Sequence, residues 1–388
     1  MTSDVSPPLA AKRLPSLAGL RFVCAIVVFS AHAYVTLSFN GDWTGTKATV
    51  LLIIGRSALS FFFVLSGFVM AWSFRPGDTA TAFWRRRAAK IYPTHVVTWC
   101  AGLILITSTG GVVKSADAVT NLFLLHTWLP NFETNNSVNV VSWSLSCEAF
   151  FYLSFPLLHR FLRRIPAGRL WAWTAGTTLA VILLPLVTTA AFPSQPKFLP
   201  FDVTYDQYWF VYLFPAARVL EFVLGIVLAR SVLEGRRLNV RFWHVIAVLA
   251  VAYPVAAQVP YLYSITAVLI IPVAMLVLAG AGSDIRGSSS LVRNPAMVKL
   301  GDMTFAFYMV HLLVLQYAYQ MIDDGHPASP GERVGSAALL FAVSLALAWA
   351  VHTFIEQPLS RRWGTRRLSQ PRRKSPSVPR TDQDPVAP

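Results

Sequence analysis

The sequence predicts an all-α protein: a polytopic membrane helix bundle of about ten spans, with its N and C termini cytoplasmic. Three observations predict it. Of 388 residues, 55% are hydrophobic and only 13% charged, against about 25% charged in soluble domains. Apolar runs of about twenty residues, enough to cross a hydrocarbon core about 30 Å thick, recur along the chain. Lysines and arginines gather in alternate connections, the bias that marks cytoplasmic loops.

The runs fall at 20–40, 50–73, 92–109, 142–160, 171–191, 211–230, 243–257, 262–280, 303–320 and 335–355. The seventh is short and contains Pro254, and NLFLLHTW (121–128) reads as an interfacial or re-entrant piece. The first basic connection carries Lys12, Arg13 and Arg21, the next Arg75, Arg85, Arg86, Arg87 and Lys90, and a third Arg160, Arg163, Arg164 and Arg169. Arg236, Arg237 and Arg241 follow, then Arg286, Arg293 and Lys299, then the tail RRWGTRRLSQPRRK. The intervening connections hold Lys47, Lys114, Lys197 and Arg333 beside several acids. The formal net charge of +15 therefore expresses topology and attraction to an anionic inner leaflet; no nucleic-acid motif accompanies it, and no nucleic-acid partner is expected.

Residues 1–16 read as a cytoplasmic tail, 17–358 as the membrane domain, and 359–388 as a basic tail, rich in Pro and Ser, without apolar periodicity and expected to be disordered. Lys12, Arg13, a short apolar run and Ala31-His32-Ala33 imitate a secretory leader. Arg21 breaks that order, however, and apolar residues continue through Val35, Leu37 and Phe39, so the segment is expected to remain as the first span. Cys24, Cys100 and Cys147 all fall inside spans, without a disulfide framework or metal-ligand spacing, so neither redox chemistry nor a metal is expected.

Ionisable groups inside spans cost about 2.5–3.5 kcal/mol each on insertion scales and ask for a reason. Arg21 and His32 lie eleven residues apart, nearly on one helix face and about 16 Å from each other. Arg21 reads either as a snorkelling guanidinium or as a ligand contact, and His32 either as a hydrogen-bonded neutral imidazole or as a reactive one. In VSWSLSCEAFFYLSFP (141–156), Ser144, Glu148 and Tyr152 share a face; Glu148 suits a structural ion pair or a group that orients an imidazole. Arg218 and Glu221, three apart, suit an intrahelical pair as well as a site. Thr304, Tyr308 and His311 line one face of GDMTFAFYMVH (301–311). Ser66 and Gly67, among phenylalanines, suit close helix packing. The run FWRRRAAKIYP (83–93) answers to the positive-inside bias and equally to a phosphate-bearing cytosolic ligand.

Taken in order, LAGLRF…H, FFFVLSGF, RRRAAKIYP, WSLSCEAFFYLSFP, RVLEFVLG and FAFYMVH resemble the acyltransferase 3 family of integral membrane O-acyltransferases, from about Leu14 to Pro358. Each motif is weak alone; the ordered set is specific. The family's Arg-x10-His signature falls on Arg21 and His32, and its SxxExxFY-type motif on Ser144, Glu148 and Tyr152, with Ser146 also compatible with the spacing. Its Arg-x-x-Arg element reads here Arg87-Ala-Ala-Lys90, a departure that offers a point charge in place of a planar fork.

The resemblance implies a bacterial, multi-pass protein of the cytoplasmic membrane that passes an acyl group, acetyl by default, from cytosolic acyl-CoA to a hydroxyl of a glycan or of a secondary metabolite such as a macrolide. It implies acyl-CoA as co-substrate and no permanently bound cofactor. The donor would lie against Arg21, Arg85, Arg86, Arg87 and Lys90; His32 would act as base with Glu148 orienting it. Ser144, Tyr152, Arg218, Glu221, Tyr308 and His311 would serve the acceptor or the oxyanion. A serine acyl-enzyme through Ser144 or Ser146 finds no GxSxG elbow. The rival reading is a proton-coupled small-molecule transporter, which calls for inverted repeats that the sequence does not display.

Overall fold

The computed structural model describes residues 13–37, 46–75, 77–198, 201–236, 238–322 and 328–364. The expected tails at 1–12 and 365–388, residues 38–40 of the first span, Lys12 and Arg237 lie outside them. Every described element is helical: α1 (Pro15–Leu37), α2 (Thr46–Trp72), α3 (Ala80–Ser108), α4 (Ser115–Leu122), α5 (Phe132–Asn135), α6 (Ser142–Leu162), α7 (Leu170–Ala191), α8 (Tyr205–Tyr208), α9 (Pro215–Leu233), α10 (Phe242–Ala256), α11 (Ile270–Arg286), α12 (Pro295–Leu313), α13 (Tyr319–Ile322), α14 (Pro330–Val351) and α15 (Gln357–Gly364).

All ten expected spans are helices over their described residues, and among the described residues eight helical stretches are long and apolar enough to cross a membrane. The other two fall short for different reasons. α6 is 21 residues long but carries Ser142, Ser144, Ser146, Glu148 and Ser154, turned largely toward protein. α10 has 15 residues, about 22 Å at the α-helical rise. Wide-turn π segments interrupt or extend several spans, at Trp209–Leu213, Tyr263–Ala267, Val314–Ala318 and His352–Glu356. Such insertions re-aim side chains and collect at functional sites; no apolar count reveals them.

NLFLLHTW does not span. After α4 the backbone turns irregular, with Leu124 at φ 58°, and is held inside protein, where non-helical backbone is tolerated at membrane depth. Ser146 donates to the Leu124 carbonyl, and the Trp209 indole to that of Thr127 at 2.8 Å. Residues 359–364, expected to belong to the basic tail, are helical: α15 continues to Gly364, with the Ser360 hydroxyl on the Ala89 carbonyl at 3.2 Å. A helix that docks on α3 escapes a reading based on composition alone.

Two close crossings set the register around the interior. Where α2 meets α9, a Cβ on Gly67 would stand 1.9 Å from the Phe222 carbonyl oxygen, and one on Gly225 1.9 Å from that of Val64. Where α1 meets the start of α12, a Cβ on Gly301 would stand 2.0 Å from the Ala18 oxygen and one on Gly19 1.9 Å from that of Val292. Only glycine permits such backbone contact between membrane helices. The second crossing lays α1 along α12; the first brings Ser60 of α2 to Arg218 and Glu221 of α9.

Candidate active site

Helices α1, α2, α3, α6 and α12 enclose a cavity of about 270 Å³. Its apolar wall includes Phe62, Phe63, Leu65 and Phe305, and its polar wall Arg21, Arg87, Lys90, Glu148, Tyr152 and Asp302. The Tyr152 hydroxyl donates to Glu148 Oε2 at 2.6 Å. The Glu148 carboxylate feels Arg21, Arg87 and Lys90, and Arg21 also feels Asp302. Arg87 lies over the Phe83 ring at 5.7 Å, and its Nε is buried without a hydrogen-bond partner. Lys90 is tied from the other side by Glu356, whose second oxygen lies 3.2 Å from His352 Nδ1. Three cations thus face two carboxylates around an open space.

Arg85 and Arg86 stand outside this wall. Arg86 is bound to Asp78 at the start of α3. Of the basic run, the structure brings Arg87 and Lys90, but neither Arg85 nor Arg86, to the cavity with Arg21.

His32 lies farther along α1, paired with His311 of α12. His32 Nδ1 is 2.9 Å from His311 Nε2, with the rings stacked 5.1 Å apart. His311 Nδ1 lies 2.6 Å from the Tyr308 carbonyl oxygen. A carbonyl only accepts, so His311 carries its proton on Nδ1 and its Nε2 is a lone pair. His32 must then donate from Nδ1, which leaves His32 Nε2 as an unprotonated nitrogen. Phe29 and Phe307 pack on His311, with Phe341 against both of them; His311 is buried, His32 half-buried.

Tyr308 stands between the imidazoles and the cavity. It lines the cavity, its ring lies 5.5 Å from that of His311, and its hydroxyl accepts from Ser144 at 2.9 Å and donates to the Val141 carbonyl at 3.2 Å. Glu148 is therefore not the group that orients His32: it belongs to the cationic cavity, and His311 holds the imidazole instead. Helical periodicity placed each side chain on a face but carried no information about which face it would meet. Ser144 and Ser146 bond to Tyr308 and to Leu124 respectively, and no hydrogen bond joins either to an imidazole.

Arg218 and Glu221 form a closed pair. Arg218 Nη2 is 3.1 Å from Glu221 Oε2, an ionic contact without hydrogen-bond alignment, and both side chains are at most 2% exposed. Ser60 Oγ donates to Glu221 Oε1 at 3.0 Å and accepts from Arg218 at 3.3 Å, while Phe63 and Tyr212 cover the guanidinium.

Sequence reasoning passed over Arg56, Asp302 and Glu356. Arg56 is an ionisable residue inside an apolar run, the same signal that drew attention to Arg21, while Asp302 and Glu356 stand one residue outside the runs 303–320 and 335–355. Among the described residues, no group of three His, Cys, Asp or Glu side chains converges as a metal site would.

A multi-pass helical bundle with a cation-rich cavity on one side of a buried, tautomer-fixed histidine is the frame of a membrane-embedded group-transfer enzyme. The chain belongs to the acyltransferase 3 family: the family model described as "Acyltransferase domain" matches residues 14–353. It is therefore an acyltransferase. It is 40% identical to "Acyltransferase MdmB" of Streptomyces mycarofaciens over 365 residues, 92% of this chain and 94% of the relative. "Nodulation protein 10" of Rhizobium leguminosarum bv. viciae is 25% identical over 360 residues, 87% and 91% of the two chains. "Exopolysaccharide production protein ExoZ" of Rhizobium meliloti is 25% identical over 338 residues, 81% and 93%. No solved structure matches the chain.

Proposed function

We propose that this acyltransferase moves an acyl group, acetyl by default, from cytosolic acyl-CoA to a hydroxyl of a glycan or of a secondary metabolite such as a macrolide, in a bacterial cytoplasmic membrane. The observation that carries the mechanism is the His32–His311 hydrogen bond, because it leaves His32 Nε2 free to accept a proton. The acceptor's O–H gives its proton to that nitrogen as its oxygen attacks the thioester carbonyl. The tetrahedral intermediate then expels the thiolate, which takes the proton from His32; ester and free thiol leave, and the base is restored. His311 touches neither reactant and acts by holding His32 in this tautomer.

The cationic cavity supports the donor side of this reading. At about 270 Å³ it falls just below the roughly 300–1,000 Å³ of ligand pockets, a size for a thioester arm, with the phosphates left to Arg87 and Lys90 near the basic end. Tyr308 is the wall the thioester must pass to meet His32. The relatives' names support the acceptor side: one is called an acyltransferase and another an exopolysaccharide production protein.

The test follows transfer from labelled acetyl-CoA in the purified protein. His32→Ala is expected to lower kcat by about 10²–10⁴-fold, the span of general-base contributions, with thermal stability kept. A folded His32→Ala protein with near-full activity removes the base assignment, and a wild-type protein that consumes no acyl-CoA with any hydroxylated acceptor removes the reaction itself.

A further inference from the structure

Beyond the cavity, on the His32 side, lies a second charged feature that the mechanism above leaves unused. Arg56 sits on α2 one turn before Leu59, which is where that helix begins to line the cavity. Its guanidinium carbon stands 5.1 Å from the Tyr261 ring centroid, 5.5 Å from Phe201 and 5.8 Å from Tyr212. The Tyr208 hydroxyl accepts from it. The rings are themselves packed: Phe201 stacks on Tyr261 at 4.2 Å, and Tyr208 lies 5.4 Å from Tyr212. These residues come from three separate parts of the chain, and they close around one cation.

Two things in this cluster are unfinished. No carboxylate among the described residues pairs with Arg56, in contrast with Arg86, Arg218, Arg230 and Lys90. The Tyr261 hydroxyl is buried with no hydrogen-bond partner, a costly state unless something arrives to satisfy it. Rings at the guanidinium face compensate the charge in part, but a guanidinium has five N–H donors, and the ring faces take none of them beyond the bond to the Tyr208 hydroxyl. An arriving group that presents oxygen acceptors beside weakly polarised C–H faces would use both, the oxygens on Arg56 and Tyr261 and the C–H faces on the negative π surfaces. A pyranose ring has that composition. The location fits as well: Gly55, the neighbour of Arg56, packs on Ala31, the neighbour of His32, where an added Cβ would stand 2.6 Å from the Ala31 Cβ, while Arg21, Arg87 and Lys90 line the cavity and Arg56 does not.

We infer that Arg56, with Phe201, Tyr208, Tyr212 and Tyr261 around it, is the acceptor subsite, and that it holds a glycosyl ring so that one hydroxyl meets His32 Nε2. The inference rests on the acyl-transfer reading given above and adds to it the class of acceptor. It separates the two substrates in space: the donor with the basic cavity below Tyr308, the sugar with the aromatic cage above.

The experiment measures equilibrium binding to the purified full chain in lipid nanodiscs, which expose both faces. The probes are p-nitrophenyl β-D-glucopyranoside and a thioether analogue of acetyl-CoA that cannot transfer its acyl group. Wild-type protein is expected to bind both. Arg56→Gln should weaken the glucoside by about tenfold or more, and Tyr261→Phe, which keeps the ring, by about threefold, as loss of charged and neutral hydrogen bonds predicts. Both variants should hold the coenzyme analogue within about twofold of wild type, since neither side chain lines the donor cavity. No glucoside binding by wild-type protein, unchanged glucoside affinity in Arg56→Gln, or equal loss of both probes overturns the subsite. If Arg56→Gln does not fold, Tyr261→Phe decides alone, and an unchanged glucoside affinity there overturns it. The two readings fail separately. Acyl-CoA turnover without glucoside binding removes the subsite only, whereas glucoside binding through Arg56 without any acyl transfer removes the reaction and leaves the subsite standing.

Discussion

On α9, Arg218 and Glu221 stand one against one, 3.1 Å apart, with Ser60 between them and rings over the top. Around the cavity, Glu148 and Asp302 meet Arg21, Arg87 and Lys90, with Arg87 Nε left without a partner. Both groupings place arginine and glutamate in membrane helices, and both leave an arginine Nε without a hydrogen-bond partner, yet one is covered by rings and the other borders an open space. The covered pair offers a ligand no room; its role is to hold α9 against α2, beside the Gly67–Gly225 crossing. The cavity, lined by three cations of which Lys90 is shared with Glu356, has both the room and the donors for something anionic. The comparison teaches that an intramembrane charge marks a site when open space adjoins it.

The largest effect that tests this contrast is on folding. Arg218→Leu strands Glu221 at 2% side-chain exposure, and breaking a buried pair in this way costs about 3–5 kcal/mol. The double variant Arg218→Leu/Glu221→Leu should recover most of that loss, because an apolar pair of similar volume leaves no charge behind. Thermal or SDS-induced unfolding of the two variants reads the difference. If the double variant is no more stable than the single, the pair is not self-contained and the contrast fails.

That contrast lay beyond the reach of the sequence, although much of the fold did not. The helices at the ten expected places were legible from apolar runs, eight of them long and apolar enough to span among the described residues, and the spacing of Arg218 and Glu221 on one helix already allows their pairing. Partners on different helices are another matter. Ser144, Glu148 and Tyr152 share a face of α6, but whether Glu148 meets His32 or Arg21 depends on how α1 is set in the bundle, and Gly19 and Gly301 fix it along α12 through backbone contact with residues some 280 positions away in the chain. His311 was legible as a mid-membrane imidazole and illegible as the partner of His32. Arg56 belongs to the same class of miss: the rings that surround it arrive from residues 201–212 and from Tyr261, across a π segment that no periodicity announces.

The next effect is on binding. Replacing Arg21 or Arg87 by Gln removes one of the cavity's cations without stranding a carboxylate, because Glu148 keeps its Tyr152 donor and two of its three cations. Donor KM is expected to rise roughly ten- to hundredfold, the loss of about 1.5–3 kcal/mol that accompanies a charged hydrogen bond, while stability changes by less than about 1 kcal/mol. Steady-state kinetics with varied acyl-CoA, beside the unfolding assay, measures both. A variant that loses stability as Arg218→Leu does, with donor KM unchanged, would make the cavity a second structural pair.

The smallest effect concerns Lys90, where the Arg-x-x-Arg element of the family reads Arg87-Ala-Ala-Lys90. Its ammonium is bound to Glu356, which is 1% exposed on its side chain and is also approached by His352, while Lys90 itself remains 43% exposed and lines the cavity. Lys90 therefore belongs to both kinds of grouping: one side completes a buried carboxylate, the other adds charge to an open space. Lys90→Arg preserves the charge and offers a fork that a carboxylate accepts in two places. If the Glu356 bond dominates, the variant keeps its stability and shifts donor KM by less than about threefold, because the guanidinium is drawn to Glu356 as the ammonium was. If the charge serves the donor first, the planar fork changes phosphate geometry and donor KM moves by more than that with stability constant. Lys90→Met separates the two further, since it strands Glu356 as Arg218→Leu strands Glu221, and a stability loss of the same order would place Lys90 with the completed pairs.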